Sequence, residues 1–282
     1  MAEPAQLVRA GAAGRPQDKW RPYRVILASR IRGQRSYRAN FRLDLASAAL
    51  IGFIELAEVL VLFRTVGTLG GLGLRQVLLV FGLSDLAFSL ASVLFGHVDE
   101  LPRFIRAGTL DVFYLRPQPL LAQVVCSDIS LRRFSRAAVA VVVLGVGLVV
   151  ADVPTTPRTA VLLVLALVSG TAVFAAQYVT AGGLQFFVVN GAEMTNAFVY
   201  GGRYAATQPA AVWSRPVKVL FGFVFPVAFC GYLPVLAVLG LPGPQWLPSW
   251  LAWFTPLAAL WAWLAAMTCW RWGVRHYQGA GG

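Results

Sequence analysis

Leu72–Phe95 reads LGLRQVLLVFGLSDLAFSLASVLF, and this stretch decides what kind of protein the chain forms. Its apolar residues form one block and do not alternate at the period of an amphipathic helix or strand. A helix needs about 20 apolar residues to cross the hydrocarbon core of a bilayer. The stretch therefore predicts a membrane-spanning helix, with one carboxylate, Asp85, near its middle.

The composition of the whole chain agrees with a membrane protein. Of the 282 residues, 58% are hydrophobic and only 13% are charged, and the mean hydropathy is +0.67. Soluble domains carry about 25% charged residues. We therefore expect an all-α integral membrane protein.

Six apolar runs of this kind predict six transmembrane helices within a membrane domain of residues 45–276. The fifth run is interrupted by Pro226 and Pro234. We expect a flexible tail at residues 1–19, an interfacial helix at 20–44 and a C-terminal tail at 277–282. The runs are Leu45–Phe63, Leu72–Phe95, Phe134–Val150, Ala160–Val189, Val219–Leu239 and Trp250–Trp270.

The distribution of basic residues predicts the orientation. All but three of the 24 Lys and Arg lie in the N-terminal segment, after the second and fourth runs, or at the C-terminus; the three are Arg64, Arg75 and Arg158. Loops rich in Lys and Arg stay on the cytoplasmic side. Both termini are therefore predicted to be cytoplasmic, in a multi-pass protein of the cell (inner or plasma) membrane. The net charge of +12 then reflects anionic membrane lipid and not nucleic acid.

The segment before the first run has a helical pattern. Trp20, Tyr23, Leu27 and Ile31 recur at i, i+3, i+7 and i+11, and arginines occupy the other faces. This pattern predicts an amphipathic helix on the inner leaflet. A disordered basic tail is the alternative.

Motifs for catalysis are missing. A Walker A motif needs Gly-Lys followed by Ser or Thr, and neither of the two lysines, Lys19 and Lys218, follows a glycine. Cys126, Cys230 and Cys269 are far apart, and the two histidines form no cluster. We therefore expect no enzyme activity, no cofactor and no metal in this chain.

Three carboxylates lie inside the predicted spans: Glu55, Glu58 and Asp85. Ionised groups at that depth cost several kcal/mol and normally face a cavity, a partner or each other. We expect no Lys or Arg near mid-depth to pair with them. One interpretation is an acidic lining of a translocation path that favours cationic amphiphiles. The other is a protonated carboxyl hydrogen-bonded to a neighbouring helix.

The loop after the second run carries a resemblance to a known family. His97–Arg133 reads HVDELPRFIRAGTLDVFYLRPQPLLAQVVCSDISLRR, which resembles the cytoplasmic loop of a branch of type-2 ATP-binding-cassette (ABC) permeases. Phe113 and Tyr114 depart from the pattern, because smaller aliphatic residues are expected there. The matching residues are Ile105, Arg106, Gly108, Asp111, Leu115, Arg116 and Pro117.

Other stretches resemble the same family in the same order. YRANF at 37–41 precedes the first run, FPVAF at 225–229 lies in the fifth, and WRWGVRHY at 270–277 closes the last, followed by Gly281. Residues 207–215 keep the pattern only loosely.

The resemblance implies the membrane subunit of an ABC exporter. Its partners would be a separate ATPase subunit, which binds ATP and Mg²⁺, a second permease chain, identical or paralogous, and membrane lipid. The loop would couple the permease to the ATPase. A glycine permits a tight turn, a proline stops a helix, and arginines suit contacts to carboxylates. The expected coupling residues are Arg103, Arg106, Gly108, Asp111, Arg116 and Pro117.

Two alternatives stay open at this point. The charges of the loop could only anchor it to lipid headgroups. The whole chain could instead be an ion-coupled secondary transporter that uses Glu55, Glu58 and Asp85 as proton sites. Internal repeats favour such a carrier, and the two halves of the sequence show none.

Overall fold

The computed structural model describes residues 38–127, 130–188 and 192–277, and these form helices and turns without a β-strand. The predicted tail at 1–19, residues 20–37 of the predicted interfacial helix, and all but the first residue of the predicted tail at 277–282 lie outside this part. Short 3₁₀ or π segments join several of the helices. The α-helices are α1 Arg38–Val66, α2 Leu74–Phe95, α3 Leu101–Arg106, α4 Leu110–Tyr114, α5 Leu120–Val125, α6 Leu131–Val150, α7 Pro157–Leu184, α8 Ala192–Thr195, α9 Gly201–Ala206, α10 Arg215–Val219, α11 Tyr232–Val238 and α12 Thr255–Arg275.

Four helical stretches of the described residues are long and apolar enough to cross a membrane, or five if one bent pair counts as a span. The second, third, fourth and sixth predicted runs are thereby confirmed as candidate spans. The first run lies inside α1, which is not among the four, so six spans remain a prediction. The stretches are Leu74–Arg106, Arg132–Val150, Pro157–Leu184 and Ser249–Arg275, and the bent pair is Arg215–Val224 with Val227–Val238.

Helix α2 lies at the centre of the bundle, as its apolar residues on every face require. In the most apolar 18-residue stretch of this span, 83% of the residues are buried inside the protein, compared with 17% in the corresponding stretch of α6. Helix α2 packs on α6 and α7, α7 packs on α12, and α1 packs on the other side of α6. The polar groups of α2 are therefore enclosed by protein, whereas α6 and α12 expose apolar faces.

Glycine permits the closest of these helix contacts. A Cβ atom at Gly183 would lie 2.8 Å from the carbonyl carbon of Cys269, so α7 and α12 touch through their backbones. A Cβ at Gly147 would lie 3.2 Å from the Cα of Leu79, so α6 also lies close to α2. Small residues serve this purpose in membrane bundles.

The fifth predicted run is broken once and not twice. Its halves meet at an angle of 70°, and the break falls at Phe225 and Pro226. Proline has no N–H and excludes the preceding residue from the α region. Pro234 causes no break, because it lies in the first turn of α11, where an N–H has no intrahelical partner.

The segment after the fourth run is more than a surface loop. From Ala192 to Ala206 it is helical and packs against the middle of α2, where Ser84 Oγ donates a hydrogen bond to the carbonyl of Ala206 at 2.9 Å. The sequence left this segment outside the predicted spans, because the charge of Arg203 lowers its hydropathy. In the structure Arg203 pairs with carboxylates inside the bundle.

Candidate functional site

Four charged side chains from four helices meet at the centre of the bundle, and we name them the charge cluster: Glu55, Asp85, Arg136 and Arg203. Arg203 donates to Glu55 Oε2 at 2.6 Å and to Asp85 Oδ1 at 2.7 Å through Nη2, and to the same Asp85 oxygen at 2.9 Å through Nε. Arg136 Nη2 lies 3.1 Å from Glu55 Oε1 and 3.8 Å from Asp85 Oδ1. The cluster thus joins α1, α2, α6 and α9.

An aromatic ring forms one wall of the charge cluster. The guanidinium carbons of Arg136 and Arg203 lie 5.4 Å and 5.2 Å from the centre of the Phe88 ring. Phe88 is one turn from Asp85 on α2, so both belong to one helical face. Cation–π contacts gain strength when the cation is desolvated, and the side chain of Arg203 is only 12% exposed.

This geometry corrects the expectation that no basic residue pairs with the carboxylates. Glu55 and Asp85 are matched by two arginines, so the cluster has no net charge and offers little attraction to a cation. Removing one partner from such a group leaves an uncompensated buried charge, which is strongly destabilising. The arrangement is therefore suited to fixing four helices in one register. Glu58 is separate from it: its side chain is exposed and forms no ion pair with a described residue.

A second polar group lies where α2 leads into the loop. Arg133 Nη1 donates to the carbonyl of Ser92 at 3.0 Å and lies 3.2 Å from its hydroxyl, and Arg133 Nη2 is 3.6 Å from Asp99. Tyr200 donates its hydroxyl to Asp99 at 3.0 Å. The guanidinium of Arg133 fills the space that a side chain at Gly96 would need. The two ends of the loop, at α2 and α6, are thereby joined.

The loop between α2 and α6 is itself folded into three short helices, α3, α4 and α5. Gly108 makes the turn from α3 to α4 with a φ of +66°, a conformation that favours glycine. Leu101 and Leu110 are fully buried, and Gln123 Nε2 donates to the carbonyls of Phe113 and Gln118 at 3.0 Å and 2.8 Å. The segment therefore has a defined shape.

One face of this folded loop is exposed. It carries the predicted coupling residues Arg103, Arg106, Arg116 and Pro117, together with Leu115, whose side chain is 85% exposed. Arg103 pairs with Glu100 at 3.0 Å, and Arg106 Nε donates to the carbonyl of Pro102 at 3.3 Å. Both guanidinium groups still reach the surface. The structure thus brings these predicted residues onto one segment and adds an apolar side chain that the sequence did not single out for this role.

Asp111 differs from the other predicted coupling residues. Tyr277, just beyond the end of α12, donates its hydroxyl to Asp111 Oδ1 at 2.8 Å. The ring of Tyr114 lies parallel to that of Tyr277, at 3° and with centres 5.5 Å apart. Phe113 packs on Phe104 at 5.4 Å and beneath the guanidinium of Arg116 at 5.6 Å. The two aromatic residues that depart from the family pattern are therefore both engaged in contacts.

An apolar cavity of about 730 Å³ opens beside the bend in the fifth run. Its walls come from the two sides of the bend, from the 3₁₀ turn Ser249–Phe254 and from the start of α12, and they contain no charged side chain. Such a cavity can bind an alkyl or aromatic group, and its lining has no charged side chain that would bind an ion. The aromatic wall residues are Phe223, Phe229, Trp250, Phe254 and Trp261.

No group of three or more His, Cys, Asp or Glu in the described ranges could hold a metal ion. Burial raises the pKa of the Cys126 thiol, which disfavours the thiolate that metals and electrophiles require.

Comparison with protein families places these features in a known class. Residues 49–281 match the family described as "ABC-2 family transporter protein". The chain belongs to this family. The matched region contains both the charge cluster and the folded loop. Membership identifies the chain as the permease of an ABC transporter, a membrane transport component that is not itself catalytic and that associates with an ABC ATPase subunit. Comparisons with curated proteins and with solved structures give no match.

Proposed function

We propose that this chain is the permease subunit of an ABC exporter, in which two permease chains form the translocation path and two copies of a separate ATPase drive it. The folded loop Leu101–Val125 is the contact through which ATP-driven closure of the ATPase reaches the membrane helices. One observation carries this assignment: the loop has a defined shape and presents a basic and apolar face to solvent.

The exposed face has the composition of a docking surface. Val112 and Leu115 are three residues apart and lie on one side of the chain, and they are 49% and 85% exposed. Arg103, Arg106 and Arg116 are exposed on the same folded loop. The ATPase surface that fits this face has an apolar pocket with carboxylates at its rim, because guanidinium groups bind carboxylates in a bidentate manner.

The charge cluster supports a mechanical role in this scheme. Alternating access requires helices that move as rigid bodies about defined contacts. The cluster joins α1 to α2, α6 and α9, so a displacement of the loop at the end of α2 reaches α1 without loss of register. Export is the direction that the family resemblance favours.

The secondary-transporter alternative loses its main support. A proton site needs a carboxyl group whose charge changes during the cycle. Glu55 and Asp85 are each within 4 Å of two arginines, so both carboxylates are held in ion pairs. Glu58 alone of the three lacks such a partner among the described residues.

The first test is recovery of the partner subunits. The tagged chain is extracted in a mild detergent from the membrane in which it is expressed with its genomic neighbours, and co-purifying proteins are identified by mass spectrometry. We expect an ATP-binding subunit and either one or two species of permease chain. Recovery of the permease without any ATPase, under conditions that keep other ABC transporters intact, contradicts the proposal.

The second test places the contact on the loop. Leu115→Asp inserts a charge into the expected apolar pocket, and we expect binding of the ATPase to weaken at least tenfold, about 1.4 kcal/mol. Arg116→Ala should weaken binding less and remove part of its salt dependence. Arg75→Ala is the matched control, since Arg75 is also exposed and forms only a 3.7 Å surface pair with Asp152. Equal binding by the Leu115 and Arg75 variants would exclude the loop as the docking site.

A further inference from the structure

The C-terminal turn after α12 contacts the folded loop directly, although the two are far apart in sequence. Tyr277 and Asp111 are separated by 166 positions and joined by a hydrogen bond of 2.8 Å. Burial, followed by the hydrogen bond to Asp111, raises the pKa of Tyr277 to about 12. The phenol therefore stays protonated and donating at any pH at which a cell lives.

The same ring makes three kinds of contact. Besides its hydrogen bond, it lies parallel to Tyr114 of α4, and it meets Phe186 edge-on with centres 5.9 Å apart. Phe186 follows the end of α7 and contacts Trp270 of α12 at 5.7 Å. Tyr277 thus occupies the point where α4, α7 and α12 come together.

We propose that Tyr277 is a positioning residue that braces the coupling helix α4 against α12, so that movement of the loop is carried to the last membrane helix as well as to α2 and α6. The proposal rests on the proposed function, in which the loop is the contact to the ATPase. It assigns Asp111 to the inside of the permease, where it receives Tyr277, and leaves Arg116 and Leu115 to face the ATPase.

The geometry favours transmission over simple anchoring. The stacked ring pair and the edge-on contact with Phe186 hold the Tyr277 ring on two sides, and the hydrogen bond to the carboxylate fixes the distance along its axis. The α12 end of the brace is rigid, because a Cβ at Gly273 would lie 2.8 Å from the Phe186 ring, so little free space remains there. A push on α4 is therefore passed to α12 and α7 and is not absorbed by side-chain rotation.

The brace is tested first in the permease alone, by hydrogen–deuterium exchange of residues 105–117 in lipid nanodiscs. Tyr277→Ala should raise exchange more than tenfold, and Tyr277→Phe, which keeps the ring and loses the hydroxyl, about three- to tenfold. Asp111→Asn keeps an acceptor oxygen and should change exchange least. His276→Ala is the control, because His276 packs on Phe187 and Trp272. Unchanged exchange in Tyr277→Ala overturns the brace and leaves the proposed function standing.

Transmission is tested in the assembled complex with its ATPase. We expect Tyr277→Ala to bind the ATPase within about twofold of the unmodified chain and to lose at least fivefold of the permease-dependent stimulation of ATP hydrolysis, with Tyr277→Phe between the two. A merely structural role would lower assembly and stimulation together. Full stimulation in Tyr277→Ala overturns transmission. If the unmodified chain recruits no ATPase, the proposed function fails and transmission fails with it, whatever the exchange experiment shows.

Discussion

The charge cluster and the exposed face of the loop use the same kinds of side chain for opposite purposes. In the cluster Arg136 and Arg203 are enclosed with two carboxylates and an aromatic ring. On the loop Arg103 and Arg116 reach solvent, as does Leu115, which is 85% exposed. Buried arginines that form ion pairs with carboxylates hold the permease together. Exposed arginines on the same surface as an exposed leucine indicate a binding site for a partner protein. The surroundings of a charge, and not its presence, separate structure from recognition.

The largest effect should come from unbalancing the cluster. Arg203→Met leaves Glu55 and Asp85 to share one arginine, and we expect a loss of about 3–5 kcal/mol in stability, because an uncompensated charge remains buried. Thermal unfolding in detergent measures it. Arg215→Met, at an exposed position of α10, should change little.

A second variant separates charge balance from packing. Arg203→Met combined with Asp85→Leu restores one carboxylate to one arginine, so part of the lost stability should return. If the double variant is less stable than Arg203→Met alone, the account of the cluster as a balanced group is wrong.

A smaller effect is expected at Gly96, which lies between the two regions. Gly96→Ala displaces the guanidinium of Arg133 and separates it from Ser92 and Asp99, at a cost of about 1–3 kcal/mol. Gly145→Ala is the control, because a Cβ there meets nothing within 4 Å. In the middle of a helix this control should be neutral or stabilising by about 0.5–1 kcal/mol. Equal unfolding temperatures for the two variants would contradict the role of Arg133.

A change of salt concentration should have the smallest effect on the stability of the permease, and it should distinguish the charge cluster most clearly from the exposed face of the loop. The Debye length falls from about 10 Å at 0.1 M to about 3 Å at 1 M, and it screens exposed charges more than enclosed ones. Raising the salt over this range should weaken ATPase binding several-fold and leave the unfolding temperature of the permease nearly constant. Binding that is indifferent to salt would indicate that Leu115 acts without the arginines.

Run length and turn chemistry predicted much of the fold. The second, third, fourth and sixth runs are helices close to their predicted bounds, the fifth breaks at Pro226, and Gly108 makes a turn with positive φ. These features are local, because each depends on a few neighbouring residues. The same is true of the exposure of Arg103, Arg106 and Arg116.

The contacts that sequence did not reveal are long-range. Arg203 lowers the hydropathy of a segment that packs into the bundle. Hydropathy depends on neighbouring residues only, and it takes no account of Glu55, the carboxylate 148 positions away that pairs with Arg203. Asp111 was expected to be a coupling residue from the resemblance of its loop, which gives no sign of its contact with Tyr277, 166 positions away. The sequence did contain one indication of these contacts. The predicted spans hold carboxylates that need a partner, and Arg136 and Arg203 are flanked on both sides by apolar or small residues, which would allow them to enter the bundle.

The order of synthesis gives the charge cluster a further consequence. Glu55 leaves the ribosome 81 residues before Arg136 and 148 before Arg203. At about 5–20 residues per second, Glu55 waits roughly 7–30 s for Arg203. Until Arg136 is made, Glu55 has neither of its arginine partners, and until Arg203 is made it has only Arg136. The charge cluster is therefore complete only once residue 203 has been made, so α1 gains its last cluster contact after α2, α6 and α7 have been synthesised.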